Sequence, residues 1–166
     1  MNKINILLKV ILIVLSPLWT YAQWEILDQK VFGGNRRTDV GKFLKSDDGG
    51  YYFGFTSNFQ TSGNITAQNQ GAYFGVLRKY DDNDDLMWEK SYGGNLGDDL
   101  MDFKEVSDGV VLLFHSTSPI SGMKDVQSYG DSHGWLLKVD LQGEIIWQKS
   151  FGGNVVSIPM GIEIDD

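Results

Sequence analysis

One eight-residue stretch of the chain occurs twice, and its spacing constrains the fold more than any other feature. Residues 88–95 read WEKSYGGN and residues 147–154 read WQKSFGGN. A weaker copy, DQKVFGGN, occupies residues 28–35. The aromatic residue before Gly-Gly-Asn therefore stands at positions 32, 92 and 151. A nearly constant period of this kind is typical of repeat architectures, so we expect a chain built from stacked copies of one small unit.

Each copy of the repeat has the pattern of four short strands joined mostly by tight turns. An Asp-Gly turn at residues 108–109 precedes an uninterrupted apolar run, as expected for a hairpin whose second strand is covered on both faces. No segment has a helical apolar period, so the prediction is an all-β protein. The predicted strands are residues 40–45, 51–55, 74–80 and 86–91 in the first copy and 100–106, 110–114, 135–139 and 145–149 in the second.

Four antiparallel strands per repeat, arranged in tandem, favour a partial β-propeller with four-stranded antiparallel blades. A β-sandwich of the same strands is the alternative, but it gives no reason for Trp, Gly-Gly-Asn and Asp-Gly to recur in phase. The prediction is two full blades plus the start of a third. Residues 23–39 form an N-terminal strand and the first Gly-Gly-Asn loop, 40–99 blade 1, 100–158 blade 2 and 159–166 the start of a truncated blade 3, with a lone strand at 159–164.

Residues 1–22 have the pattern of a secretory signal peptide, with a short basic start at Lys3 and a small-x-small cleavage site at residues 20–22. The apolar core is broken by Lys9 and Pro17 and is too short to span a bilayer. An uncleaved anchor is the alternative. Cleavage predicts a secreted or outer cell-surface protein with no membrane span.

The charge and the absence of cysteine limit the partners and the way the core is held. Signal cleavage removes two lysines and no acid, so the net charge changes from −8 to −10. An acidic chain without basic clusters is a poor ligand for nucleic acid or an anionic membrane. Because the chain contains no cysteine, the core must be stable without disulfides.

The repeat resembles those of secreted β-propeller proteins from Bacteroidetes-type bacteria. Residues 48–51 (DGGY), 54–56 (GFT) and 135–140 (WLLKVD) match that pattern, as does Gly143. The resemblance covers nearly all of the mature chain and implies export by the type IX secretion route, which commonly uses a C-terminal sorting domain that this sequence lacks. His133 departs from the pattern, because an acidic residue usually stands two positions before this tryptophan.

The number of blades leads to an expectation about the chain as a whole. Closed propellers have about four to eight blades, whereas two are complete in this sequence. We therefore interpret the chain as an N-terminal fragment of a longer protein, or as a truncated reading frame. A blade without its neighbour exposes apolar side chains, so self-association is expected.

Candidate binding residues fall on one end of the predicted scaffold, where the long loops and the blade-to-blade loops meet. The alternative is that Gly-Gly-Asn only supplies positive-φ turns and that the polar side chains near it are solvated. The possible ligand-face residues are Arg36, Asp39, Asn95, Asp98 and Asp99.

The sequence predicts no cofactor and no metal site. The oxygens of Asp81, Asn83 and Asp85 alternate as in a calcium loop, but the glycine and distal glutamate of an EF-hand are missing, so an acidic hairpin is preferred. His115 and His133 do not by themselves make a zinc site.

The function expected is that of a non-enzymatic binding or adhesion scaffold for an unknown surface ligand, a protein or a polysaccharide. The sequence contains no nucleophile elbow and no phosphate-binding loop, and no catalytic residue is assigned. Trp88 and Trp147 have side chains that can stack on sugars, but their in-phase placement favours packing between blades. The alternative function is a glycan-active propeller hydrolase or lyase whose active residues lie in missing blades or on the long-loop face.

Overall fold

A computed structural model describes residues 29–33, 37–39, 41–58, 63–68 and 70–165. The chain divides into two units, residues 1–31 and 32–166, and the second contains all the regular structure described below. Within the described residues, no helix has the length and apolar character needed to cross a bilayer.

Two four-stranded antiparallel sheets form the second unit, and in each sheet the strands lie side by side in chain order. The described residues contain no helix, so the all-β prediction is confirmed. The first sheet consists of β1 (Lys42–Lys45), β2 (Tyr51–Ser57), β3 (Phe74–Tyr80) and β4 (Leu86–Tyr92). The second consists of β5 (Asp98–Val106), β6 (Gly109–Ser116), β7 (His133–Val139) and β8 (Ile145–Phe151).

The turn between β3 and β4 shows why this sequence makes a hairpin. Asp81 Oδ1 accepts hydrogen bonds from the backbone N–H groups of Asn83 and Asp85, both at 2.9 Å. Asp84 has a φ of 69°, which its short polar side chain tolerates. The corresponding turn of the second sheet is held in the same way by Asp140.

The two sheets pack face to face around one hydrophobic core. Gly54 lets them approach closely, because a Cβ atom there would lie 2.5 Å from the Phe103 ring. A Cβ atom at Gly75 would lie 2.5 Å from Phe114. The core residues are Tyr52, Leu77, Tyr92, Phe103, Val110, Leu112, Phe114, Trp135, Leu137 and Val139.

Side chains of β4 fix the second sheet against the first by binding the turn between β7 and β8. Trp88 Nε1 donates to the Leu141 carbonyl at 3.0 Å, and the Tyr92 hydroxyl donates to the Gly143 carbonyl at 2.9 Å. Burial raises the pKa of Tyr92, so this hydroxyl keeps its proton and remains a donor. These contacts join the outer strand of one sheet to a turn of the next.

The opposite face of the first sheet has its own apolar cluster, built on alternate residues of β2 and β3. A buried ion pair between Arg78 and Glu89 lies among these residues. Glu89 Oε1 also accepts hydrogen bonds from the backbone N–H groups of Thr66 and Ala67, so the pair holds the long loop against β4. The apolar cluster consists of Phe53, Phe55, Ile65, Ala67, Phe74, Val76 and Tyr80.

The second sheet keeps one face partly uncovered. Large apolar side chains are exposed in β8 and in the segment after it, including Phe151, which is 44% exposed. This ring lies over Gly134, where a Cβ atom would be 2.2 Å from it. The other exposed apolar residues of this region are Ile146, Val155, Val156, Ile158, Met160 and Ile164.

The predicted strand over residues 159–164 is wrong, because no strand is present there. A strand needs a backbone partner, and the segment is held instead by a hydrogen bond from the Ile162 N–H to Asp102 Oδ2 at 3.0 Å and by Glu163 near Lys104. Strand β5 begins two residues earlier than predicted, since Asp98 and Asp99 pair with β6. Of the predicted N-terminal strand, within residues 23–39, the described residues 29–33 form no strand, and residues 23–28 lie outside the described residues.

Candidate functional site

The predicted ligand-face residues that the structure describes lie at one end of the two sheets, where the long loops and the sheet-to-sheet linkers run. We call it the loop end. Arg36 is outside the described residues. Asp39 is half-buried and pairs with Arg37, Nε to Oδ1 at 2.7 Å. Asp99, also half-buried, lies 4.0 Å from His115 Nδ1.

Asp39 and Asp99 are brought near each other at the loop end. Burial raises the pKa of Asp99, and the negative charge of Asp39 acts in the same direction. His115 and Arg37 act in the opposite direction. The arrangement is a small mixed-charge patch, with two acids and two basic groups from both repeats.

Asp98, in contrast, is fully buried and binds the Gly-Gly-Asn linker. Its Oδ2 accepts hydrogen bonds from the Gly94 N–H and from the Ser118 hydroxyl, both at 2.7 Å. The next copy repeats this contact, because Ser157 Oγ accepts a hydrogen bond from the Gly153 N–H at 3.1 Å. An equivalent side chain, at the start of the next repeat, therefore fixes the linker in both copies.

Asn95, the exposed member of the same linker, is tied to the long loop of the second sheet. Its backbone N–H donates to Ser121 Oγ at 3.0 Å, and the Ser121 hydroxyl donates to Asn95 Oδ1 at 2.9 Å. The amide oxygen of Asn95 is therefore committed to a contact within the protein.

A buried lysine at the loop end was not predicted. Lys124 is 1% exposed, and its amine donates to the Ser118 carbonyl, the Ser128 hydroxyl and, more weakly, the Val126 carbonyl, at 2.8, 3.2 and 3.4 Å. Burial lowers the pKa of Lys124. These three acceptors match the three protons of an ammonium group, so the lysine closes the long loop.

The burial of His133 was also not predicted from the sequence. It is 1% exposed, and neither ring nitrogen makes a hydrogen bond of normal geometry with the described residues. Burial lowers the pKa of His133 and Lys124 lowers it further, whereas Asp98 and the nearby Tyr129 backbone act in the opposite direction. A signal was present in the repeat. When the two copies are aligned on their WEKSYGGN and WQKSFGGN stretches, His133 corresponds to Phe74 and Lys124 to Ile65, both buried and apolar.

The acidic turn that suggested calcium is organised around its own backbone. Asp81 Oδ1 accepts two backbone hydrogen bonds, and Asn83 Nδ2 donates to Asp82. Among the residues that the structure describes, no three acidic or histidine side chains are grouped so that they could hold a metal ion.

A cleft of about 310 Å³ opens at the other end of the sheets, between their tight turns. Lys79 lies in its wall, 4% exposed, and pairs with Asp48 at 2.7 Å. The lysine amine also lies 4.4 Å from the centre of the Tyr52 ring. We call this the turn cleft. Its lining residues are Asp48, Tyr52, Lys79, Met87, Trp88, Leu141 and Gln142.

Comparison with protein families and curated sequences identifies no relative of the chain. No protein-family model matches the chain, and no curated protein sequence matches it. The functional interpretation therefore rests on the repeat, on the packing of the two sheets and on the two ends of the molecule.

Proposed function

We propose that this chain is a secreted or cell-surface repeat protein whose sheets are blades of a β-propeller and which serves as a non-enzymatic binding scaffold. The support for the blade arrangement is that contacts between successive repeats occur in phase. Tyr73 forms a parallel bridge with Gly97, and Ser132 forms one with Val156 at the equivalent positions of the next repeat. Each linker thus leaves one sheet in the same way.

The observation that carries the proposal is the side-by-side order of the first strands. Lys42 of β1 pairs with Asp102 of β5 and also donates to the Phe103 carbonyl at 3.1 Å. In the next repeat Asp102 binds the backbone N–H of Ile162, which is the counterpart of Phe103 in the aligned copies. Inner strands that follow one another in this way are expected around a propeller axis.

The hydrogen-bond partners of the polar side chains favour a scaffold role over catalysis. Ser118 is bound to Asp98 and not to a histidine, and Lys124 is bound to two carbonyls and a hydroxyl. Within the described part of the chain, no serine is hydrogen-bonded to a histidine, the arrangement that activates a nucleophile. These groups fix loops on a rigid pair of sheets, and rigid sheets that carry loops are a common basis for binding.

Location and turnover test this proposal. The full chain with a C-terminal tag is produced in a Gram-negative host, and intact cells are treated with protease before fractionation. We expect the mature chain in the medium or on the outer surface, and retention in the cytoplasm would contradict the proposal. Release of reducing ends from polysaccharides by the purified chain would favour the glycan-active enzyme instead.

A further inference from the structure

The long loop of the second sheet holds the linker between the two sheets in place. We call this loop, residues 117–132, the clasp loop. Its Ser118 Oγ accepts a hydrogen bond from the Leu96 N–H of the linker at 3.0 Å. Further along the loop, the Met123 N–H donates to the Gly93 carbonyl at 3.0 Å. The position of the linker at the loop end therefore depends on a closed clasp loop.

Two buried polar side chains lie at the base of the clasp loop. Lys124 belongs to the loop and His133 follows it as the first residue of β7, and each is 1% exposed. The Lys124 ammonium is held by three acceptors of the loop, as described above. The His133 ring makes no hydrogen bond of normal geometry with the described residues. The closed loop thus binds one buried cation and covers a neutral imidazole near it.

Charged and titratable groups from three elements face this imidazole. Asp98 of β5 favours its protonated form, whereas Lys124 of the clasp loop and His115 of β6 disfavour it. Asp98 lies on the same face of the sheet as His133, because both are directly opposite Ser116 on the neighbouring strands. Burial and the lysine outweigh the carboxylate, so the pKa of His133 is lowered in the closed structure.

We propose that the clasp loop is an acid-operated device that opens locally when the His133 imidazole binds a proton, while the two sheets remain folded. A second positive charge beside the buried Lys124 ammonium costs more free energy than exposing both groups to water. Opening releases the carbonyls that hold Lys124 and frees the linker, including the Asn95 amide. Acid therefore changes the surface that the loop end presents. The inference goes beyond the proposed function, since it depends neither on a ligand nor on the location of the chain.

The first repeat lacks the device. In the aligned copies, Phe74 stands at the position of His133 and Ile65 at the position of Lys124, and both are buried. An apolar pair cannot take up a proton, so the long loop of the first sheet should not respond to acid in this way. The chain thus contains a matched internal reference for the clasp loop.

The test is amide hydrogen exchange of the full chain, followed by NMR from pH 7.5 to 5.5. The reporter is the Met123 N–H, and the reference is the Asn64 N–H, which lies at the aligned position, 3.4 Å from the Gly33 carbonyl. We expect the protection factor of Met123, corrected for intrinsic exchange, to fall about tenfold over this range. The open loop binds a proton with the ordinary histidine pKa of about 6.5, and the closed loop does not. The protection factor of Asn64 should stay constant.

Three variants assign the effect to His133. H133F copies the first repeat and should remove the pH dependence of the Met123 amide. H133Q keeps a polar side chain that cannot be protonated, so it gives the same test if phenylalanine disturbs the fold. H115T is the matched control and should retain the dependence, because His133 is still present. In every variant the β6 amides should exchange more slowly than Met123, which distinguishes local opening from unfolding of the sheets.

The proposal is overturned if the protection of Met123 does not change with pH, or if H133F and H133Q keep the wild-type dependence. It is also overturned if Asn64 shows the same fall, or if the β6 amides are no better protected than Met123. Increased protection in acid would show instead that Asp98 holds the protonated ring and closes the loop more firmly. None of these outcomes alters the location or turnover results that test the proposed function.

Discussion

His133 occupies a position at which the preceding repeat has a phenylalanine. The backbone at this position, the start of the third strand of the sheet, is the same in both repeats, and both side chains are buried. A buried imidazole is less stable there than an aromatic hydrocarbon ring, because burying a polar group without a hydrogen bond of good geometry costs free energy. The cost increases when the ring is protonated.

We predict that stability falls in mild acid because of this residue. The pKa of His133 is lowered in the folded protein, so below pH of about 6.5 the unfolded chain binds a proton that the folded chain does not. The free energy of unfolding should therefore decrease by up to about 1.4 kcal/mol per pH unit from that point until the folded pKa is reached. At neutral pH and above, this loss is absent.

Urea denaturation of wild type and H133F, recorded between pH 5 and 8 at intervals of about one pH unit, measures the effect. H133F should be more stable and should lack the histidine-linked slope over this range. H115T, which places the residue of Thr56 at the aligned position, is the control and should keep the slope, since His133 is still present. Parallel pH profiles for wild type and H133F would contradict the prediction.

At the scale of the element, the third and fourth strands of the two sheets have different buried side chains at equivalent positions. The first sheet places the buried ion pair Arg78–Glu89 across the strands. The second places Leu137 and Gln148 at the aligned positions, where Gln148 accepts from Trp135 Nε1 at 3.0 Å and donates to the Met123 carbonyl at 2.8 Å. Both solutions tie the long loop to the outer strand.

The difference between these solutions predicts strong coupling in a double-mutant cycle. E89Q alone should destabilise the chain by about 3–5 kcal/mol, because it leaves the buried Arg78 guanidinium without its carboxylate. R78L/E89Q, which copies the second repeat, should recover much of that loss. Guanidinium denaturation of the single and double variants measures the coupling, and simple additivity of the two changes would contradict it.

Most of the strands were predictable from the sequence. The β3 prediction, residues 74–80, has the observed bounds, because the strand is followed at once by an Asp-rich turn. Other strands extend further at the loop end, since polar residues such as Asp98 and His133 pair in the sheet although they look like loop residues. The strand predicted over residues 159–164 failed because a strand is defined by its neighbour and not by its own composition.

The turn cleft is harder to predict from the sequence than the strands are. Its parts come from two turns and three strands that lie between Asp48 and Gln142 in the chain, and no spacing rule connects them. The sequence favours packing over sugar stacking for Trp88, and the indole does make a packing contact with the next sheet. The complete burial of Tyr52 could not be predicted, because it depends on the second sheet.

For the molecule as a whole, the approach of the two sheets depends on glycine. We predict that G54A destabilises the chain by about 1–3 kcal/mol, since the added methyl group would lie 2.5 Å from Phe103 and 2.9 Å from Leu100. G153A is the control, because its nearest atom, Ser157 Oγ, is 3.9 Å away. Thermal unfolding of both variants measures the effect. Equal melting temperatures for G54A and wild type would contradict the prediction, because the sheets would then accommodate the methyl group without loss of stability.

The uncovered face of the second sheet leads to the last prediction. Phe151 is 44% exposed there, and it is followed by Val155 and Val156, at 67% and 56%. Exposed apolar patches of a few hundred Å² promote association, so residues 23–166 should self-associate as concentration rises. F151D should weaken this association. Sedimentation velocity over a range of concentrations measures it, and a monomer at every concentration would contradict it.

Because the contacts that join the sheets recur in phase, they also bear on how such a chain changes in evolution. The alternate positions Trp88, Lys90 and Tyr92 correspond to Trp147, Lys149 and Phe151 in the next copy. Unequal recombination between the two coding copies, offset by one repeat, adds or removes a whole sheet and joins equivalent positions. The new junction places an indole and a lysine where the old one had them. Alleles of such a gene are therefore expected to differ in length by whole repeats, whereas other offsets disrupt the fold.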